Sequence, residues 1–369
     1  MESKDGSYIK NYVMSKAATI GDPGFLLLKL SEKTPLFSRR VLIPEDFFVN
    51  LEKSIALKGP AAQGKLYLAG KKFGYAYATL GGFVTIKDRQ GEDFINYVNL
   101  VNKQIEGTFA QKIDCKVDIN TKYCIYDLQN FVIIEKLGYG YFLPLGGAAG
   151  LLAYIFQDKT IEGVVEKSDP SKAYAQLIYA PESYLKQNGK EFFEASDMSG
   201  LDPTPEYLRF NQVRHLNYSD CSLKKLLDSN VFQFVNGSIL NNGQRYFTLE
   251  DNGFYMLEKE LKDYQKEIHD AAFETGSKIL AGIKGPNLQA VTDYVSAFGW
   301  GDMLMLPKEG KYAINIDYFP YTKFYKDVNY QLFVGMLEGM LSYVLKRNIT
   351  FNKIEKNVNN GYLNISLHE

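Results

Sequence analysis

Residues 146–156 read GGAAGLLAYIF, and residues 335–345 read GMLEGMLSYVL. Both stretches carry a glycine, a second glycine four residues later and a tyrosine four residues after that, and the two sets lie 189 positions apart. Residues four apart share one face of a helix, so each stretch predicts an apolar helix with a glycine face. A repeat this long indicates a duplicated domain, because solenoid units recur about every 20–50 residues.

Further matches upstream support the duplication. At offsets of 205 or 206, they are ED at 45–46 and 250–251, LEK at 51–53 and 257–259, and glycine at 70 and 276. The length of 369 residues also suits two domains of ordinary size. The predicted segments are an N-terminal extension (1–23), a first, divergent domain (24–185), a polar linker (186–230) and a second domain (231–369).

The order of elements is clearest in the second domain. Strands are expected at 232–240 and 245–249, a helical stretch with one break from 251 to about 283, and a helix capped by Asn287. A hairpin (302–306 and 312–318), the glycine helix (328–347) and a second hairpin (351–358 and 362–368) follow. Alternation in the strand 312–318 puts Tyr312, Ile314, Ile316 and Tyr318 on one face.

Hairpins between neighbouring strands and segregated helices predict an α+β fold. Each domain is expected to be an antiparallel sheet with helices on one face, and the two domains are expected to pack as a pseudo-twofold pair.

Composition limits the function classes. Apolar residues make up 46% of the chain, charged residues 23%, and the formal net charge is −1. Without a basic tract, nucleic acid is not an expected partner, since its binding needs clustered positive charge. Three cysteines are too few for a disulfide framework, and the first twenty residues contain no long apolar run, so no secretory signal is expected there. These features favour a cytoplasmic location.

One stretch has the length of a membrane-spanning helix. Residues 137–156 contain no charge over twenty positions. Pro144 and five glycines interrupt this stretch, and its repeat partner carries Glu338. A buried helix explains both copies, whereas a membrane span explains one, so no span is expected.

A family resemblance rests on AFGWGDM at 297–303, VNYQLFVGMLEGMLSYVL at 328–345 and the closing hairpin. Residues 287–368 resemble the vinyl-4-reductase domain, whose superfamily includes subunits of the TRAPP transport complex and haem-NO-binding sensors. The first domain matches only through the duplication. The resemblance implies a compact domain that often encloses an apolar pocket, pairs with a second such domain, and senses small molecules or scaffolds other proteins.

Some relatives hold zinc through cysteines around the last hairpin. Residues 168–172 and 357–361 hold no cysteine, so no metal is expected. Residues 59–66, GPAAQGKL, approach a phosphate-binding loop but place Leu66 where Ser or Thr would hold magnesium. Cys115 and Cys124 face each other across a predicted hairpin, either as a redox or metal pair or as small buried hydrophobes.

Catalysis has no support in the sequence. Neither His215 nor His269 has an acidic residue at a spacing typical of a catalytic pair. No candidate nucleophile has a general base that the sequence pattern identifies. No catalytic residue and no cofactor are therefore assigned.

The glycine helices remain the candidate site. Each interior glycine costs about 1 kcal/mol relative to alanine, so a close contact must compensate. That contact is either tight helix packing or the floor of an apolar pocket completed by methionines and aromatic rings. The predicted ligand-binding residues are Trp300, Met303, Met305, Phe333, Gly335, Met336, Gly339 and Met340, with Gly146, Gly150 and Tyr154 in the first domain.

The function expected from the sequence is non-catalytic binding or sensing of a small apolar, aromatic or lipid-like ligand. The alternative is an interaction scaffold resembling transport-complex subunits, and an enzyme of unknown reaction is the weaker third. Expected partners are a small apolar ligand, a protein partner or a second copy of the chain.

Overall fold

A computed structural model of the chain describes residues 18–29, 37–106, 110–195, 197–199, 218–235, 238–320, 327–359 and 362–369. The fold is α+β with antiparallel sheets, as the sequence predicts. The described residues form two compact units. Unit 1 lies within 51–203 and 259–264, and unit 2 lies within 10–50, 204–258 and 265–369.

The strands and helices have the following bounds. The strands are β1 Ala18–Thr19, β2 Leu26–Lys29, β3 Phe37–Pro44, β4 Lys112–Asp118, β5 Tyr123–Gln129, β6 Ile161–Asp169, β7 Tyr174–Pro181, β8 Gln233–Val235, β9 Ser238–Asn241, β10 Gln244–Glu250, β11 Asp302–Lys308, β12 Lys311–Phe319, β13 Lys353–Asn359 and β14 Tyr362–His368. The helices are α1 Glu45–Ala56, α2 Pro60–Leu80, α3 Gly91–Ile105, α4 Val132–Leu137, α5 Phe142–Ile155, α6 Glu182–Gln187, α7 Leu223–Asp228, α8 Asp251–Glu260, α9 Gln265–Ile279, α10 Leu288–Ala297 and α11 Gln331–Leu345.

The same topology occurs twice along the chain. Strand β3 is followed by three helices, a hairpin, the glycine helix and a second hairpin. Strand β10 is followed by the same elements in the same order. The first pass adds the short helix α4. Unit 1 has a four-stranded sheet in the order β4-β5-β7-β6, and unit 2 has the matching order β11-β12-β14-β13. The sequence repeat thus corresponds to a repeated order of elements and strand pairing.

Unit 2 also contains a six-stranded sheet in the order β1-β2-β3-β10-β9-β8. Its central strands, β3 and β10, are the repeat-equivalent strands and pair antiparallel. Arg40 bonds Glu250 at 2.8 Å, and Arg245 bonds Glu45 at 2.8 Å. Arg245 is Arg40 shifted by 205 positions, and Glu250 is likewise Glu45 shifted, so the two ion pairs are reciprocal. The repeated ED at 45–46 and 250–251 therefore supplies one carboxylate to each pair.

Each unit contains a helix pair whose backbones touch. In unit 1, a methyl group added to Gly146 or Gly150 would overlap the carbonyl oxygen of Tyr67 or Lys71 on α2. In unit 2, α11 contacts α9 in the same way through its own two glycines. Glycine is required at these crossings because any larger residue would separate the helices.

Several predicted elements lie where expected. The hairpins β4–β5 and β11–β12 form, and the helical stretch from 251 breaks between α8 and α9. The Asn287 side chain caps α10 by accepting a hydrogen bond from the amide of Ala290 at 3.0 Å. The glycine helix is shorter than predicted, because Tyr330 and Lys346 at its two ends adopt left-handed backbone conformations.

Two predictions need correction. The strand expected over 232–240 is divided into β8 and β9, which pair with each other. In β12 the alternation breaks at a bulge after Ile316, where Tyr318 has a φ of 59°. Phe319 is therefore buried with Ile314 and Ile316, whereas Tyr318, predicted to share their face, is half-buried. The predicted turn at 360–361 lies outside the described residues.

Neighbouring glycines in α5 provide a test of the helix contact. We expect Gly146→Ala to lower the free energy of unfolding by about 1–3 kcal/mol through overlap with α2. Gly147→Ala is the matched control, because its methyl group would lie 3.9 Å from the nearest atom and gains up to about 1 kcal/mol of helix propensity. Urea unfolding followed by circular dichroism measures both. Equal stability of the two variants would contradict the contact.

The reciprocal ion pairs provide a second test. Arg40→Glu leaves two facing carboxylates and should cost about 3–5 kcal/mol, whereas the exchange Arg40→Glu with Glu250→Arg should recover most of the loss. Lys224→Glu breaks the exposed pair with Asp228 and should cost no more than about 1 kcal/mol. Denaturant midpoints decide the matter, and a double variant no more stable than Arg40→Glu would rule out the pairing.

Candidate ligand-binding site around Trp300

Trp300 occupies a tight loop between α10 and β11. The flanking residues Gly299 and Gly301 have φ values of 83° and 105°, which L side chains rarely adopt. A methyl group on Gly299 would lie 2.8 Å from the carbonyl oxygen of Arg40. The loop therefore lies against β3, and the Trp300 side chain is fully buried.

Three aromatic rings contact Trp300, and a fourth contacts one of those three. We call these five side chains the Trp300 cluster. Its members are Phe254 of α8, Trp300, Phe319 of β12, Tyr330 and Phe333 of α11. Centroid distances from Trp300 are 5.7 Å to Phe254, 5.9 Å to Phe319 and 5.2 Å to Phe333. Phe319 lies 4.9 Å from Phe333 and 5.4 Å from Tyr330. Rings at these spacings are in direct contact.

The structure brings together only some of the predicted site residues. Trp300 and Phe333 are in contact, and Met303, Met336 and Met340 are buried in the same unit. Met305 is half-buried on β11. The sequence did not point to Phe254, Phe319 or Tyr330. Phe319 reaches the cluster only because of the bulge in β12, which no local pattern indicates.

The predicted glycines contact helices. Gly335 and Gly339 face the carbonyl oxygens of His269 and Phe273 on α9, so the space beside them is filled by backbone. These positions correspond to the tight-packing alternative left open by the sequence.

Unit 1 holds the remaining predicted residues, Gly146, Gly150 and Tyr154. The two glycines face α2 in the way described above, and Tyr154 is a half-buried ring 5.5 Å from Tyr75. Tyr154 therefore completes an aromatic pair beside the helix crossing.

A polar region adjoins the Trp300 cluster at the start of α8. Arg39 donates from Nη2 to the carbonyl oxygens of Gly24 and Gly299, at 2.8 and 3.2 Å. Asp251 follows Glu250, which pairs with Arg40, so continuing the register of β10 and β3 by one residue puts Asp251 opposite Arg39. Asp251 and Asn252 are both buried. Neither carboxylate oxygen of Asp251 and neither amide atom of Asn252 has a hydrogen-bond partner of good geometry among the described residues.

Burial raises the pKa of the Asp251 carboxyl to about 8, and the positive charge of Arg39 partly opposes this rise. The nearby backbone amide of Asn252 also lowers the pKa, and the negative charge of Glu250 raises it. Burial therefore favours the protonated form of the Asp251 carboxyl. Phe254 lies three residues further along the same helix face, so this polar region lies one turn from the Trp300 cluster.

Two other buried acids, Glu162 and Glu338, have hydrogen-bond partners on both carboxylate oxygens. In unit 1, Glu162 accepts from Lys71 Nζ and from the Tyr67 hydroxyl, each at 2.6 Å, and from the amide of Ala195 at 3.0 Å. Burial lowers the pKa of Lys71 and raises the pKa of Glu162. A network this fully satisfied and this deeply buried serves the packing of the unit.

In unit 2, His269 Nε2 lies 2.7 Å from the Oε2 atom of Glu338, and the amide of Phe351 donates to Oε1 at 2.6 Å. The hydrogen bond to Glu338 raises the pKa of His269, against the effect of burial. No acidic partner of His269 is expected from the sequence, because His269 and Glu338 lie on different helices and 69 positions apart. His215 lies outside the described residues.

The phosphate-loop resemblance has no structural counterpart. Helix α1, not a strand, precedes Gly59, and Lys65 pairs with Asp263. In the hairpin β4–β5, Cys115 lies opposite Tyr126 and Cys124 opposite Val117, so the two thiols are diagonal neighbours and are free. The hydrogen bond with Cys115, together with burial, raises the pKa of Cys124, which disfavours a reactive thiolate.

Metal ligands do not converge in the described part of the chain, where no group of three His, Cys, Asp or Glu side chains could hold an ion. Among the same residues, no helix is long and apolar enough to cross a membrane. Comparison with known proteins gives no match to any family model and none to any curated protein.

The repeated LEK sequence places one glutamate at the start of each glycine helix. Glu52 accepts from the amides of Phe142 and Leu143, at 3.1 and 2.9 Å. Glu258 accepts from the amides of Gln331 and Leu332, at 3.0 and 3.3 Å. Both carboxylates satisfy free donors at a positive helix end. Burial raises the pKa of Glu52 to about 7, although the amides oppose this rise.

This shift predicts a pH dependence of stability. The unfolded chain releases the Glu52 proton near pH 4.5, and the folded chain near pH 7, so the folded state binds more protons between these values. The free energy of unfolding should therefore fall as pH rises through this window, by up to about 3 kcal/mol.

Glu52→Gln, which mimics the protonated acid, should reduce that slope in urea titrations between pH 4.5 and 7 by the Glu52 contribution, and the raised pKa of Asp251 should account for part of the slope that is left. Glu92→Gln, an exposed change in α3, should preserve it. An unchanged slope in Glu52→Gln would exclude the assignment.

Proposed function

We propose that unit 2 binds a small aromatic or apolar ligand beside the Trp300 cluster, in a non-catalytic protein of the cytoplasm. The supporting observation is the set of four buried polar atoms of Asp251 and Asn252, which have no good hydrogen-bond partner in the described structure. Each such group costs about 1–3 kcal/mol when left unsatisfied. Their hydrogen-bonding capacity is available to a ligand.

The packing of unit 2 supports one place for the proposed ligand. Because the rings of the Trp300 cluster are already in contact, a ligand cannot lie between them without moving them. Because α9 fills the space beside Gly335 and Gly339, that face is closed as well. The border between the Trp300 cluster and the first turn of α8 combines apolar rings with free polar atoms. Ligand pockets usually combine these two kinds of surface.

The resemblance to vinyl-4-reductase domains supports the same function class, since such domains are expected to enclose an apolar pocket. The ionisable groups described above do not support catalysis, because Lys71 and Glu162 in unit 1 and His269 and Glu338 in unit 2 hydrogen-bond to each other.

Trp300 is the single tryptophan of the chain and reports binding directly. We expect indole or naphthalene to shift its emission and to raise the melting temperature, by the equivalent of about 2.7 kcal/mol at a hundredfold excess over Kd. Phe254→Leu should weaken binding about tenfold by removing a ring contact. Phe94→Leu, which removes a buried ring in unit 1, is the matched control and should leave affinity unchanged. Unchanged emission and melting temperature with every probe would refute the proposal.

An interaction scaffold is the second candidate, and β11 favours it. This strand lies at the edge of its four-stranded sheet, with Leu304 and Met305 half-buried and Leu306 40% exposed. Edge strands with apolar side chains can pair with another chain. Light scattering distinguishes the two candidates, since stable self-association lost in Leu306→Lys would favour the scaffold.

A further inference from the structure

We propose that the thiols of Cys115 and Cys124 in unit 1 form a two-coordinate site for a soft monovalent metal ion, Cu(I). The site lies on the hairpin β4–β5 and is independent of the ligand proposed for unit 2.

The register of the sheet places both thiols on one face. Cys115 lies opposite Tyr126, and Cys124 lies two residues before Tyr126 and opposite Val117. Residues two apart in a strand share a face, so the two cysteines are diagonal neighbours on the face that Tyr126 occupies. Their thiols are free and hydrogen-bond to each other. The two sulfur atoms therefore lie side by side without a covalent bond.

The spacing of the two strands favours an ion over a disulfide. The Cα atoms of diagonal neighbours lie about 7–8 Å apart, whereas those of a disulfide usually lie about 4.4–6.8 Å apart. An ion held between two thiolates adds one atom to the bridge, so it needs less movement of the backbone than a direct sulfur–sulfur bond does.

The ligands available select the ion. Thiolates are soft ligands, and they prefer Cu(I) and zinc to hard ions such as magnesium or calcium. Structural zinc takes four ligands. Among the described residues, no third His, Cys, Asp or Glu side chain joins the two cysteines in a group that could hold an ion. Cu(I), whose d shell is filled, is stable between two thiolates alone, so it fits the pair better than zinc does.

The two cysteines differ in exposure, which suits entry and retention of an ion. Cys115 is half-buried and can be reached from solvent, whereas Cys124 is fully buried. A thiol that ionises poorly resists oxidation, and the metal itself displaces the proton on binding. Binding of one Cu(I) forms two metal–sulfur bonds and releases two protons to solvent, without any change of oxidation state.

Hydrogen-bond donors on the same face suit the charge of the complex. Two thiolates and one Cu(I) have a net charge of −1, and a buried anion needs donors. Tyr179 lies directly opposite Cys124, and Asn102 of α3 accepts from the Tyr126 hydroxyl at 2.7 Å. Both residues are buried, and within the described structure the Tyr179 hydroxyl and the Asn102 Nδ2 atom have no hydrogen-bond partner. These two donors are therefore available to the complex.

Competition with the coloured Cu(I) chelator bicinchoninate, under anaerobic reducing conditions, tests the site on the wild-type chain. The protein should withdraw one Cu(I) per chain from the chelator. Zn(II) in about tenfold excess should not displace the ion, because the pair offers zinc too few ligands.

Cysteine variants locate the ion. Cys115→Ala and Cys124→Ala should each weaken Cu(I) binding at least about a hundredfold, because one thiolate is left in place of two. Cys221→Ala removes the buried cysteine of unit 2, so it is the matched control and should bind Cu(I) as the wild type does.

Wild-type affinity in Cys115→Ala and Cys124→Ala, or an equal loss in Cys221→Ala, would overturn the proposal. Failure of the wild-type chain to withdraw Cu(I) from the chelator, or displacement of the ion by Zn(II), would also overturn it. Melting temperatures identify any variant that does not fold, and the wild-type measurements decide the question in that case.

Discussion

The direct contact of two helix backbones in each unit constrains the rest of the molecule. Helices α2 and α5 in unit 1, and α9 and α11 in unit 2, approach so closely that glycine is required at the crossing. Such a contact compensates for the poor helix propensity of glycine through close packing of backbone atoms. It also closes the glycine face to any ligand. The candidate site therefore lies at the first turn of α11, beside Phe333, and at the start of α8.

The two copies share this frame and differ in their charged groups. Both place a glutamate at the start of the glycine helix, Glu52 from α1 and Glu258 from α8, which are the repeat-equivalent first helices. A second buried glutamate in each copy, Glu162 and Glu338, has no counterpart in the other copy. At the position equivalent to Glu338 the first copy has Ala149, and at the position equivalent to Glu162 the second copy has Phe351. Each copy has therefore placed its second acid on a different element of a common fold, and the Trp300 cluster belongs to the second copy.

The sequence predicted the frame better than the site. Glycine spacing, hairpin turns and the LEK repeat are local patterns, and they predicted the α+β class, the element order and the shared topology. The sheet that joins β3 to β10 was not predicted, because pairing between strands some 200 positions apart leaves no local signal.

The candidate site was predicted only in part, through Trp300 and Phe333. Asp251 was visible as half of a repeated ED pair, but its burial opposite Arg39 depends on the register of β3 and β10. His269 and Glu338 were each visible in the sequence, yet their contact depends on the crossing of α9 and α11. Tertiary contacts of this kind cannot be derived from spacing along one chain.

Native-state hydrogen exchange tests the helix contact that underlies this account. If the paired glycine helices form the structural centre of each unit, amides of α2, α5, α9 and α11 should exchange only through global unfolding, as slowly as those of the central strands β5, β7, β12 and β14. Exchange of these helices about a hundredfold faster than the central strands would show that they open independently, and it would contradict the account.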